Sequence, residues 1–210
     1  MPKETKEKLL DLLLERALLY DPVEGFRLSS GKISTYYFDC KRLTLSSRAV
    51  LLIGEALWEK VKDLKVQGVG GLTLGADPLV MAVCAYACLK SIPLEGFIVR
   101  KEPKKHGTQR WLEGYVHQGD RVVIVDDVIT TGKSVLQAIE KAEDAGLEVV
   151  KVVVLVDREE GGREKIINQG YDFSAVFSFT EIKQAWEKKH GRPFLTNLEQ
   201  KKSGNLPRAA

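Results

Sequence analysis

From residue 66 to residue 191 the chain alternates between short, largely apolar runs and stretches with helical spacing. The strand-length runs are VQGVGG (66–71), EGFIVR (95–100), RVVIVDD (121–127), VVKVVVLVD (149–157) and YDFSAVFSF (171–179). Between and after them lie ADPLVMAVCAYACLK, GKSVLQAIEKAEDAG, GREKIINQG and TEIKQAWEKKHG, whose apolar residues recur at helical intervals. Strands apolar on both faces must be covered on both, which predicts an α/β fold with a mostly parallel central sheet flanked by helices. Such sheets bind ligands beyond the carboxyl ends of their strands, where strand order reverses. Three chemically loaded turns fall on that edge: GGLTLGADP (70–78), DDVITTGKS (126–134) and DREEGGR (157–163).

Upstream, KETKEKLLDLLLERALLY predicts an amphipathic helix, and DPVEGFRLSSGKISTYYFD reads as short strands joined by turns. LSSRAVLLIGEALWEKVKD predicts a second helix, with Ser46 as its N-cap. A chain of 210 residues, 44% hydrophobic and 29% charged, is expected to form one domain over 1–210. Its net charge of +3 is too small to imply nucleic acid. The longest uncharged apolar run, Leu79 to Leu89, is far short of the ~20 residues that span a bilayer. The charged start MPKETKEK carries no apolar h-region and is not expected to act as a leader, so a cytoplasmic location and no membrane partner are expected. The three cysteines (Cys40, Cys84, Cys88) form no CxxC motif, and Cys84 and Cys88, four apart, are expected to face a buried helix surface rather than a metal.

The stretch VVIVDDVITTGKS (122–134) carries the chemistry. It ends like a nucleotide-binding P-loop, but Asp127 stands where that motif requires glycine. A turn between strand and helix gathers unpaired N–H groups at the positive end of the helix, where a phosphate fits, and Gly132 allows close approach. Read alone, the turn is more readily an ordinary helix start capped by Thr or Ser, since such caps are common. The adjacent acids Asp126 and Asp127 alter that reading, because they would repel a phosphate unless something lay between. A ribose does so, its 5′-phosphate in the hollow and its hydroxyls donating to the acids.

With its strand, paired acids and small-residue turn, this segment resembles the signature by which type I phosphoribosyltransferases bind 5-phosphoribosyl 1-diphosphate (PRPP). The resemblance implies that family's fold, with a small N-terminal hood drawn mainly from 1–45, a core over about 46–190 and a tail over 191–210. It implies PRPP contacts from Asp126, Asp127, Val128, Ile129, Thr130, Thr131, Gly132, Lys133 and Ser134. RKEPKKHGTQR (100–110) sets five cations against one acid and, read alone, is a solvated basic loop. It is similar to the catalytic loop of the orotate phosphoribosyltransferase family, which implies a lid that neutralises the diphosphate through Arg100, Lys101, Lys104 and His106, with Lys104 as the main catalytic residue beside Asp126 and Asp127. In that family the loop reaches a neighbouring subunit's site, which implies a homodimer with shared sites.

LSSGKISTYYFD (28–39) resembles the family's hood segment, which implies that Tyr37 and Phe38 lie against the base, although such aromatics are more often core. Thr130 and Arg158 complete the implied orotate contacts; read alone, Arg158 is a strand-end cation paired with Glu159 or Glu160. GGLTLGADP resembles the diphosphate loop, and Ser29 and Gly75 stand where some members carry lysine. The implied cofactor is Mg²⁺ carried on PRPP, with no direct protein ligand and water-mediated contact to Asp126 and Asp127. The expected activity is transfer of the phosphoribosyl group from PRPP to orotate in pyrimidine biosynthesis. The alternatives are a phosphoribosyltransferase for a purine or uracil, and a PRPP-sensing regulator without chemistry.

Overall fold

The computed structural model describes residues 1–27, 31, 33–103 and 111–196. The first third of the chain forms α1 (Lys3–Arg16), β1 (Leu18–Tyr20), β2 (Phe26–Arg27), β3 (Ile33–Ser34), β4 (Tyr36–Phe38), α2 (Lys41–Thr44) and α3 (Val50–Trp58). The alternating region follows as β5 (Gly68–Leu72), α4 (Asp77–Leu89), β6 (Glu95–Val99), β7 (Leu112–Gly114), β8 (Arg121–Ile129) and α5 (Lys133–Asp144). It ends with β9 (Glu148–Asp157), α6 (Gly162–Asn168), β10 (Phe173–Ser178) and α7 (Phe179–His190).

Six strands form the central sheet in the order β10-β9-β8-β5-β6-β7, parallel throughout except that β7 runs antiparallel to β6. The apolar runs follow from coverage of both faces. In β8, Val123 and Val125 enter the layer that holds α1, α3, α4 and α7, while Val122 and Ile124 enter the layer that holds α5 and α6. Period-two alternation thus feeds two cores from one strand. Two two-stranded ribbons, β1 with β4 and β2 with β3, form the smaller N-terminal part. Leu9 and Leu13 of α1 are fully buried in the main core, and Lys6 ties α1 to Glu181 of α7 at 2.6 Å.

The chain steps from β5 to β6 in one direction and from β8 to β9 and β10 in the other, so strand order reverses between β5 and β8. The crevice expected from the sequence therefore lies at the carboxyl ends of these two strands.

Several local expectations are corrected. Ser46 does not cap α3: the N-cap is Ala49, and Ser46 instead closes a turn through its carbonyl to Ala49 N–H (2.9 Å) while its hydroxyl accepts from Arg16 (2.8 Å). Cys84 is half-buried and Cys88 is exposed. The buried stripe of α4 is made by Leu79, Val80, Ala82, Val83 and Ala87, which leaves the cysteine pair along its margin. Strand β8 continues to Ile129, so the acid pair lies within the strand's last turns of pleat rather than at its tip.

Candidate active site

The loop after β5 lies directly over the acids. A Cβ placed on Gly75 would come within 2.7 Å of Asp126 Oδ1 and 2.9 Å of Asp127 Oδ1. A side chain at this position thus requires the two carboxylates or the loop to shift. Asp126 is 7% exposed and Asp127 half-buried. Asp127 N–H donates to Asp126 Oδ1 (3.0 Å), and Val128 N–H donates to Asp127 Oδ1 (2.9 Å). Burial, and then the charge of Asp127, push Asp126 up to about 7. Burial also raises Asp127, opposed by Lys41 at the start of α2. Cys40 is 1% exposed, and burial followed by the nearby Asp127 charge lifts its thiol well above the usual range, so it is an inert core residue.

Asp126 therefore keeps a proton up to about pH 7 in the folded chain, whereas an unfolded aspartate loses it near ~4. Between those values the folded state binds more protons, so this group's contribution to stability falls as pH rises from about 4 to about 7. Urea midpoints measured from about pH 5 to about pH 8 are expected to show that decline, and Asp126→Asn, which cannot ionise, to flatten it. Equal slopes in parent and variant would remove the proton from Asp126.

The turn after β8 departs from an ordinary capped helix. Its N-cap is Gly132, at φ +79°, and no side chain caps the first turn of α5. The first-turn N–H groups are thus left without a side-chain partner at the cap, on a hollow of about 170 Å³ lined by Asp126 and residues 128–135. Left-handed geometry at Gly132 turns the chain into the helix, and a side chain there would be strained.

Across the crevice, Arg158 follows β9, and its N–H donates to the Ile129 carbonyl (3.1 Å). Its side chain is only 10% exposed; Nη2 lies 2.7 Å from Glu160 Oε1, and the guanidinium carbon sits 5.1 Å from the centre of the Tyr36 ring. The pairing with Glu160 anticipated from sequence is present, yet it uses only one edge of the fork. Tyr36 stacks on Phe179 (4.6 Å, 17°), and Phe38 packs edge-on into the same aromatic cluster. Phe38 is 7% exposed and its ring is core, whereas Tyr37, on the opposite face of β4, is 38% exposed. Any contact from Phe38 to a base therefore comes from its backbone.

On the far side of β5, Thr73, Ile98, Arg100 and Lys101 line a hollow of about 420 Å³. Arg100 donates its N–H to Trp111 O (2.8 Å) and pairs with Glu113 (3.3 Å), which ties the two ends of the basic segment together. Lys104 and His106, together with Ser29, lie outside the described residues. Sequence reasoning missed Tyr36 and Lys41. The period of β4 was a usable signal for Tyr36, but no local pattern marks Lys41.

Paired acids on a central strand, a glycine-opened helix start and an arginine past the next strand, all at the switch point, define the phosphoribosyltransferase class. The sequence model of the phosphoribosyl transferase domain matches residues 70–186. The chain is 44% identical over 177 residues to the orotate phosphoribosyltransferase of Aquifex aeolicus, covering 84% of this chain and 97% of the relative. It superposes with a TM-score of 0.76 at 38% identity on the Mycobacterium tuberculosis orotate phosphoribosyltransferase in complex with Fe(III) dicitrate, covering 85% of this chain and 98% of that one. A crystal structure of the same enzyme in complex with PRPP gives 0.72 at 35% identity over the same shares, 85% and 98%. The chain belongs to the orotate phosphoribosyltransferase family.

Proposed function

We propose that the protein transfers the 5-phosphoribosyl group of PRPP to orotate, giving orotidine 5′-phosphate and diphosphate in pyrimidine biosynthesis. The observation that carries this reading is the placement of the acid pair, the uncapped start of α5 and Arg158 around one crevice. Residues 128–134 take the 5′-phosphate, and Asp126 and Asp127 accept from the ribose hydroxyls. Arg100, Lys101, Lys104 and His106 take the diphosphate. Arg158, Thr130, Tyr37 and the backbone of Phe38 hold the base, whose carboxylate suits a planar guanidinium. A ring nitrogen of orotate bonds to the anomeric carbon as the bond from that carbon to the diphosphate oxygen breaks, and the proton of that nitrogen leaves with the diphosphate. The protein positions the reactants, neutralises the leaving group and excludes water from an oxocarbenium-like centre.

Asp126 and Asp127 offer the hard oxygen donors that suit Mg²⁺ held mainly by substrate oxygens and water. Among the described residues no three His, Cys, Asp or Glu side chains gather into a metal site of their own. When bound, Mg²⁺ supplies charge neutralisation on PRPP. Among the described residues no helix is long and apolar enough to cross a membrane, and a cytoplasmic, single-domain enzyme acting without nucleic acid fits the sequence.

Diphosphate release measured with orotate, uracil, adenine and hypoxanthine in turn tests the reaction; orotate is the expected acceptor, and preference for another base would overturn it. The homodimer is proposed with each site completed by its partner's basic segment. Mixing inactive Lys104→Ala and Asp127→Asn chains under exchange conditions is then expected to restore about a quarter of parental activity. Half of the dimers are mixed, each with one intact site. No recovery would place both residues on one subunit's site.

A further inference from the structure

We propose that Glu160 is a built-in carboxylate competitor for Arg158, which an incoming anionic base must displace, and that it thereby sets the affinity for that base. The inference rests on the reading that Arg158 receives the carboxylate of orotate. The two partners are unequal: the Arg158 side chain is 10% exposed, and that of Glu160 is 42% exposed. The guanidinium carbon of Arg158 lies 5.1 Å from the centre of the Tyr36 ring, and the more exposed glutamate reaches the arginine at 2.7 Å. The Tyr36 hydroxyl is directed at the same glutamate oxygen, 3.5 Å away. Arg158 Nε is buried and has no hydrogen-bond partner among the described residues, so the fork has donor capacity that Glu160 does not use.

The turn that brings Glu160 back over Arg158 is tightly built. Glu159 is a non-glycine residue in the left-handed region, at φ +57°, and Gly161 follows at +91°. Glu159 N–H donates to the buried Asp157 carboxylate (2.8 Å), and its own carboxylate accepts from Thr180 N–H (2.9 Å) and Thr180 Oγ1 (2.6 Å). A strained residue held by three hydrogen bonds on one side of Glu160, and a left-handed glycine on the other, fix where that side chain begins. Two carboxylates cannot share the same guanidinium edge without repulsion. Orotate offers Arg158 the charge and shape that Glu160 offers it, so its binding releases Glu160 into water. A neutral base has no group with which to make that exchange.

The test is steady-state kinetics of Glu160→Gln, which keeps an oxygen acceptor at the same place and removes the charge. The KM for orotate is expected to fall about fivefold, the scale of a partly exposed ion pair, with kcat and the KM for PRPP within about twofold of the parent. Glu160→Ala is expected to lower the KM for orotate as well, and inhibition by uracil is expected to be unchanged in both variants. An unchanged or raised KM for orotate in variants that melt like the parent would overturn the role of Glu160 and leave Arg158 as an orotate contact. A parent enzyme that turns over no orotate would overturn both.

Discussion

Lys104→Ala is expected to fold and assemble like the parent and to turn over about 10²–10³-fold more slowly, the usual cost of removing one positioned charge partner from a transition state. The expectation comes from charge balance. The acids at Asp126 and Asp127 suit the ribose and repel the diphosphate, so the leaving group needs cations from elsewhere. The basic segment of 100–110 is the densest supply in the sequence. Its two ends are fixed: Val99 pairs with Leu112 in the β6–β7 ladder, and Arg100 is engaged by Trp111 and Glu113. A deficit in kcat with the KM for orotate unchanged marks an interaction made in the transition state. Turnover near that of the parent would remove Lys104 from the role.

Asp127→Asn is expected to lower kcat/KM for PRPP about 100-fold without loss of stability. Asp127 is the more open of the two acids; burial raises it, and the charge of Lys41 opposes that rise. An amide of the same shape keeps the acceptor for Val128 N–H and forfeits the charge that holds a hydroxyl or a metal-bound water. Burying an amide in place of a carboxylate whose ionisation burial disfavours costs the fold nothing. The check is a PRPP titration beside a urea curve. Weakened catalysis with an unchanged midpoint is the expected pair, and a drop in both would make Asp127 a structural residue.

Much of this was readable because it is local. The segment 122–134 carries strand, acids and turn in thirteen consecutive residues, and the sheet puts them together without help from distant chain. The long parallel strands were equally plain, since coverage on both faces leaves the apolar runs Val122–Val125 and Val152–Val156 in their middles. The hood was harder. β2 and β3 have two residues each, too short for any period, and the three-residue β7 (Leu112–Gly114) is too short as well, though it pairs antiparallel with β6. Tyr37 and Phe38 were grouped by identity, whereas the two-residue period of β4 sends their side chains to opposite faces. The contact of Tyr36 with the Arg158–Glu160 pair was hidden for another reason: Tyr36 and Glu160 are 124 residues apart in sequence and meet only once the hood ribbon lies against the β9 turn. Lys41 likewise reaches the acid pair from a distant part of the chain.

The central claim is the reaction itself, and the most direct measurement is the loss of orotate absorbance in the presence of PRPP and Mg²⁺. Loss that requires all three of enzyme, PRPP and metal, with stoichiometric release of diphosphate, is the expected result. An enzyme that binds PRPP yet consumes no orotate would contradict the claim, leaving the fold and the phosphate site intact but without this chemistry.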